Sequence, residues 1–138
     1  MGRTSILALL AGGSALMVAA IAAANASVLA QLQPGLWEIS GAPGLRVASR
    51  QCIADFAALA RFEHRSNTCT SKILKDAGSS TEIDYSCAGA GFGHSHIDVL
   101  TPRALRISTQ GISGGLPFNY VLQARRVDDC PKNSAMRH

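Results

Sequence analysis

Four cysteines, Cys52, Cys69, Cys87 and Cys130, follow an N-terminal stretch (5–24) that contains no charged residue. Together these features restrict the possible folds more than anything else in the chain. The apolar stretch after Arg3 reads as a secretory signal peptide, and an even cysteine count behind such a leader reads as disulfides. None of the four lies in the close pairs of zinc ribbons or thioredoxin-type redox motifs. Each bridge would contribute on the order of 2 to 4 kcal/mol by restricting the unfolded chain. Three connectivities exist for four cysteines. The preferred one joins Cys52 to Cys69, clamping the excursion between two strands, and Cys87 to Cys130, tying the middle of the sheet to its last strand. The rival joins Cys69 to Cys87, which lie symmetrically about Gly78, and leaves Cys52 for Cys130.

Small residues suited to signal peptidase occur twice, as Ala24-Asn25-Ala26 before Ser27 and as Val28-Leu29-Ala30 before Gln31. Cleavage between Ala26 and Ser27 gives a signal peptide (1–26) and one mature domain (27–138), placed in the periplasm or secreted. An uncleaved anchor is the alternative, because about 20 apolar residues can span a bilayer. No cysteine follows the apolar stretch directly, so a lipoprotein-type anchor has no attachment residue, and no membrane span is expected after cleavage.

Removing the leader matters for composition. The whole chain is 47% hydrophobic, but much of that is Ala and Leu in the leader, while every charged residue except Arg3 stays behind. The mature chain of about 108 to 112 residues suffices for a single domain with a modest core. Its net charge falls from +4 to +3 when Arg3 leaves, and the Lys and Arg residues are scattered, with only Arg125 and Arg126 adjacent. That distribution gives neither the basic stripe of a nucleic-acid binder nor the basic helical face of a membrane-surface helix.

Short β-like runs separated by turn residues fill the mature chain. GLWEIS (35–40) and LRVASRQC (45–52) flank Gly41, Pro43 and Gly44 and read as a hairpin. IADFAALAR (53–61) places Ile53, Phe56, Ala57 and Ala60 at helical spacing, with Asp55 in the first turn, and predicts one short helix. Two further arms, 69–76 and 80–87, flank Gly78. In the second, Thr81, Ile83, Tyr85 and Cys87 alternate with Glu82, Asp84 and Ser86, the mark of a half-buried strand. GHSHIDVLT and ALRISTQGI form a third hairpin about Pro102 and Arg103, and NYVLQARRV is the last strand. The expectation is an all-β fold, a curved or partly closed antiparallel sheet of about seven strands with one short helix.

Gln33-Pro34-Gly35-Leu36-Trp37-Glu38, the four spaced cysteines, Thr109-Gln110-Gly111-Ile112 with Gly115-Leu116-Pro117-Phe118, and Ala124-Arg125-Arg126-Val127 before Cys130 resemble a family of small exported bacterial proteins. That family is known as domain of unknown function 3617. The resemblance covers nearly all of the mature chain and implies a periplasmic, disulfide-containing β domain, with no reaction or catalytic residues to carry over. Asp128-Asp129 stands where the family pattern has a glycine near the last cysteine, and PKNSAMRH extends beyond it.

The most chemically suggestive stretch is GFGHSHIDV (91–99). On a strand, His94, His96 and Asp98 share one face while Ser95, Ile97 and Val99 share the other. Imidazole and carboxylate are ordinary zinc ligands, so the three are candidate metal ligands. The row superficially resembles the His-x-His-x-Asp portion of metallo-β-lactamase-type hydrolases, but Val99 stands where their motif continues with histidine. His64 and His138 are the remaining imidazoles, neither in a motif. A solvated strand face accounts for the row without a metal.

Other constellations are weaker. Ser95 and Ser113 lie among glycines but not in a G-x-S-x-G elbow, and GISGGLPF suits a hairpin loop better than a phosphate cradle. Trp37, the sole tryptophan, suits the core, and Glu38 the opposite, watery side of its strand. No catalytic residue and no cofactor is expected. Two function classes remain: a non-enzymatic exported module whose sheet meets a small apolar ligand or an envelope protein, and a metal-binding protein or metal-dependent enzyme using His94, His96 and Asp98.

Overall fold

The computed structural model describes residues 27–133. The expected leader, including Ala26 at the cleavage point, and His138 therefore lie outside the described residues. Alternation in the sequence decides which side of each strand is covered. In β4 (Ser80–Cys87), Thr81, Ile83, Tyr85 and Cys87 are buried while Glu82, Asp84 and Ser86 are not. The same alternation runs through β5 (Gly91–Thr101), β6 (Ala104–Ser113) and β7 (Leu116–Asp128). With β1 (Gly35–Ser40), β2 (Ser49–Ile53) and β3 (Cys69–Ala77) they form one unclosed antiparallel sheet in the order β2-β1-β7-β6-β5-β4-β3. The all-β, seven-strand expectation is met. The sheet has two free edges, β2 and β3.

One face of this sheet carries the core. Trp37, Ile39, Ile97, Ile107 and Leu122 are fully buried, and Ile83 and Leu105 nearly so. Trp37 meets the edge of Phe56 at 5.0 Å between ring centroids and donates its indole N–H to the Gln33 carbonyl. A buried indole keeps its apolar contact area and still satisfies its one donor.

A 3-10 segment (Phe56–His64) covers this face. The expected helix over 53–61 starts later and is wound more tightly. Phe56, Leu59 and Phe62, all buried, recur every three residues, the period of a 3-10 helix, in which such side chains eclipse one another. Asp55 caps the start, accepting the Ala57 N–H at 3.0 Å, and the regular geometry breaks at Arg61 (φ −109°, ψ 34°). β2 is also shorter than expected over 45–52. It pairs only with β1, from Gly35 opposite Ile53 to Ile39 opposite Ser49, so the end of β1 ends the ladder and leaves Leu45 and Val47 exposed in the preceding loop.

The preferred disulfide pairing is corrected. Cys52 joins Cys130 and Cys69 joins Cys87, which is the rival arrangement. Cys69 and Cys87 stand directly opposite each other on β3 and β4, with Cα atoms 4.0 Å apart. Leu36 on β1 is paired with Cys52 on one side and with Asp128 on the other. Cys130, two residues past Asp128, thereby reaches across β1 to Cys52, at a Cα separation of 5.7 Å. The preference for Cys52 to Cys69 rests on clamping the excursion between two strands. The strand order decides the pairing, because β7 returns beside β1.

Candidate functional site

Residues paired across an antiparallel sheet point to the same face, so each register row is a line of side chains running across the strands. On the face opposite the core, two neighbouring rows enclose a groove of about 900 Å³. The first runs Thr70, Ser86, Phe92, Ile112, Pro117 and the second Lys72, Asp84, His94, Gln110, Asn119, each crossing from β3 to β7. The row between them, Ser71, Tyr85, Gly93, Gly111 and Phe118, presents its backbone as the floor. One wall is apolar at its centre, with Phe92 55% exposed. The other is polar throughout.

His94, His96 and Asp98 fall on this same outer face, as their alternation predicts, with Ser95 and Ile97 fully buried behind them. Only His94 belongs to the groove. Its Nδ1 lies 2.6 Å from Asp84 Oδ1, while His96 lies between Glu82 (3.4 Å) and Asp98 (3.0 Å). The register sets these partners, with Asp84 opposite His94 and Glu82 opposite His96. Among the described residues, no group of three or more His, Cys, Asp or Glu side chains is arranged to hold a metal ion. The row is a histidine and carboxylate ladder along exposed strands. Asp84 and Glu82 were legible as β4's outward residues, but pairing them with the histidines needs the β4–β5 register.

A second set of polar groups, not singled out by the sequence, lies behind the floor. His64 is 1% exposed; its Nδ1 lies 3.1 Å from the Tyr85 hydroxyl and its Nε2 3.2 Å from the Ala90 carbonyl. The Ser95 hydroxyl donates to the Ala60 carbonyl and lies 2.8 Å from that of Thr109. Tyr120 donates to Glu63 at 3.0 Å. Apart from the contact between Ser95 and Thr109, each of these contacts ties the 3-10 segment to the sheet or to the β4–β5 turn. The network docks the segment, and no buried side-chain nitrogen or oxygen among the described residues lacks a partner. Burial pushes the Tyr85 hydroxyl up to about 12. Burial, and then the bond to Glu63, push Tyr120 up as well. Both phenols are therefore held neutral. Ser95 is sealed in the core.

Glu38, on the outer side of β1, sits between Arg125 (2.8 Å) and Arg50 (3.1 Å). The hydrogen bond from Arg125, and then that from Arg50, hold its carboxyl below the usual carboxylate range. This cluster straddles β2, β1 and β7 and is remote from the groove rows.

The profile of the family described as "Protein of unknown function (DUF3617)" matches residues 32–130. The chain belongs to this family. The matched span of the DUF3617 domain runs from the residue before Gln33 to Cys130, and so includes all seven strands, both disulfides and the groove. No curated protein and no solved structure matches it.

Proposed function

We propose that this DUF3617 domain is an exported, non-enzymatic binding module of the cell envelope and that the outer-face groove is its ligand site. The observation that carries the reading is the groove itself. Its volume lies within the range of small-molecule sites, and an apolar wall faced by a few polar groups is the usual composition of one. The charge-free stretch 5–24 followed by small residues, and two disulfides in a domain of this size, support export to an oxidising compartment. Among the described residues no helix is long and apolar enough to cross a membrane. At the groove His94 is bonded to Asp84, and behind its floor Tyr85 is bonded to His64, which supports binding over chemistry.

Native mass spectrometry of the protein recovered from its own compartment tests this. An organic adduct retained by the wild type and lost in Phe92→Ala is the expected result. A stoichiometric metal ion in place of an organic adduct would falsify it in favour of a metal site at His94, His96 and Asp98.

A further inference from the structure

We propose that the groove takes a linear, neutral oligosaccharide whose successive rings lie across successive strands. This rests on the reading of the groove as the ligand site and specifies the ligand class. The argument comes from what the two walls offer. A pyranose ring presents C–H groups on its faces and hydroxyls around its rim. Phe92 is 55% exposed on one wall, and an aromatic face, electron-rich at its centre, attracts the slightly positive C–H groups of a ring laid against it. Gln110 and Asn119 stand on the other wall beside the His94–Asp84 pair. Amides carry a donor and an acceptor side by side, and the carboxylate accepts, a set suited to adjacent hydroxyls.

Charge and exposure narrow the class further. Lys72 stands opposite Asp84 in register, and Asp84 is bonded to His94, so basic and acidic groups stand side by side on this wall and the groove offers an ionic ligand no block of one sign. Acyl chains fit poorly, because one wall is polar and the groove is open, whereas an apolar ligand needs most of its surface covered. A sugar tolerates water on its uncovered side, since water-bridged hydrogen bonds are nearly as favourable as direct ones. The dimensions agree. Five strands spaced about 4.8 Å apart give five columns, each carrying one residue from each wall, and a sugar chain advances by a similar step per ring.

The test is a heteronuclear NMR titration of the disulfide-intact, 15N-labelled protein with cellotetraose, chitotetraose and maltotetraose, and separately with decanoate. At least one tetraose is expected to shift the amides of Phe92, His94, Gln110 and Asn119 in a saturable way. Phe92→Ala, an exposed position, should keep its thermal midpoint and weaken that binding about tenfold, the worth of one stacked aromatic. Gln110→Ala should weaken it without disturbing the fold. Tetraose binding that is unchanged in both variants overturns the proposal. Shifts of the same amides by decanoate alone overturn the saccharide assignment and leave the groove as a ligand site. No shift with any of the four probes overturns both.

Discussion

The side chain of Tyr85 occupies the space that a Cβ on Gly93 would need. The two residues are paired across β4 and β5, and Gly93 is paired in turn with Gly111. The phenol can therefore lie against bare backbone and point its hydroxyl at His64. Gly93→Ala should displace Tyr85, break that bond and destabilise the domain by about 1 to 3 kcal/mol, the usual cost of overpacking. Urea denaturation of wild type and variant measures it, and an unchanged midpoint would show that the ring is not held there.

The disulfide arrangement predicts two distinct losses. Chain-entropy estimates give about 3 kcal/mol for the 18-residue separation of Cys69 and Cys87, and about 4.5 kcal/mol for the 78-residue separation of Cys52 and Cys130. Paired Cys→Ala variants should therefore rank in that order in chemical denaturation. Peptide mapping without reduction should recover Cys69 linked to Cys87, and a peptide linking Cys52 to Cys69 would contradict the structure.

Alkaline pH should weaken the fold. Burial raises the Tyr85 hydroxyl to about 12 in the folded protein, against about 10 when unfolded. The folded state keeps its proton longer, so the contribution to stability is complete below about pH 10 and is lost as pH rises toward about 12. Tyr120 is shifted in the same direction. Denaturation midpoints followed from pH 8 to 11.5 should fall in the wild type and fall less in Tyr85→Phe. Parallel slopes in the two proteins would assign the alkaline limb to other groups.

At the opposite end of the pH scale, the pair Arg125 and Arg50 sets the behaviour of Glu38. Its folded carboxyl lies below the unfolded value, so its contribution is present above the unfolded value of about 4.3 and is lost as pH falls through the folded one. Glu38→Gln should make the acid limb of the stability curve shallower below about pH 4.5. A variant with an acid limb as steep as that of the wild type would remove Glu38 from the account.

Replacing both His94 and His96 with Gln should cost less than about 1 kcal/mol, because exposed ion pairs are individually worth a few tenths to 1 kcal/mol. Differential scanning fluorimetry with and without zinc is the check. A large zinc-dependent rise in the wild type that disappears in the double variant would speak for ligation.

Local patterning made much of the sheet legible. GLWEIS and the arm from Ser80 to Cys87 become β1 and β4 with their expected bounds, because alternation over five or more residues with clear turn residues leaves one register for the buried face. The outward direction of His94, His96 and Asp98 followed from the same rule. What was illegible depends on contacts between distant segments. Leu45 and Val47 have strand-forming side chains but no neighbouring strand to pair with. Cys52 meets Cys130 because β7 lies beside β1, which no local spacing encodes. The groove needs five strands in register before Phe92 and Gln110 face each other across one floor. His64, an isolated histidine in sequence, became a buried link only once Tyr85 was brought beneath it.

β3 is exposed along nearly its whole length and contributes no side chain to the buried core, yet Thr70 and Lys72 reach the groove at its outer end. Substitutions on such a strand typically change stability by no more than about 0.5 kcal/mol. The outermost column of the groove is thus free to diverge among descendants of this sequence while the core stays as it is. On the proposed reading of the groove, ligand preference and foldability are written in largely separate residues, so selection can retune the first without risking the second.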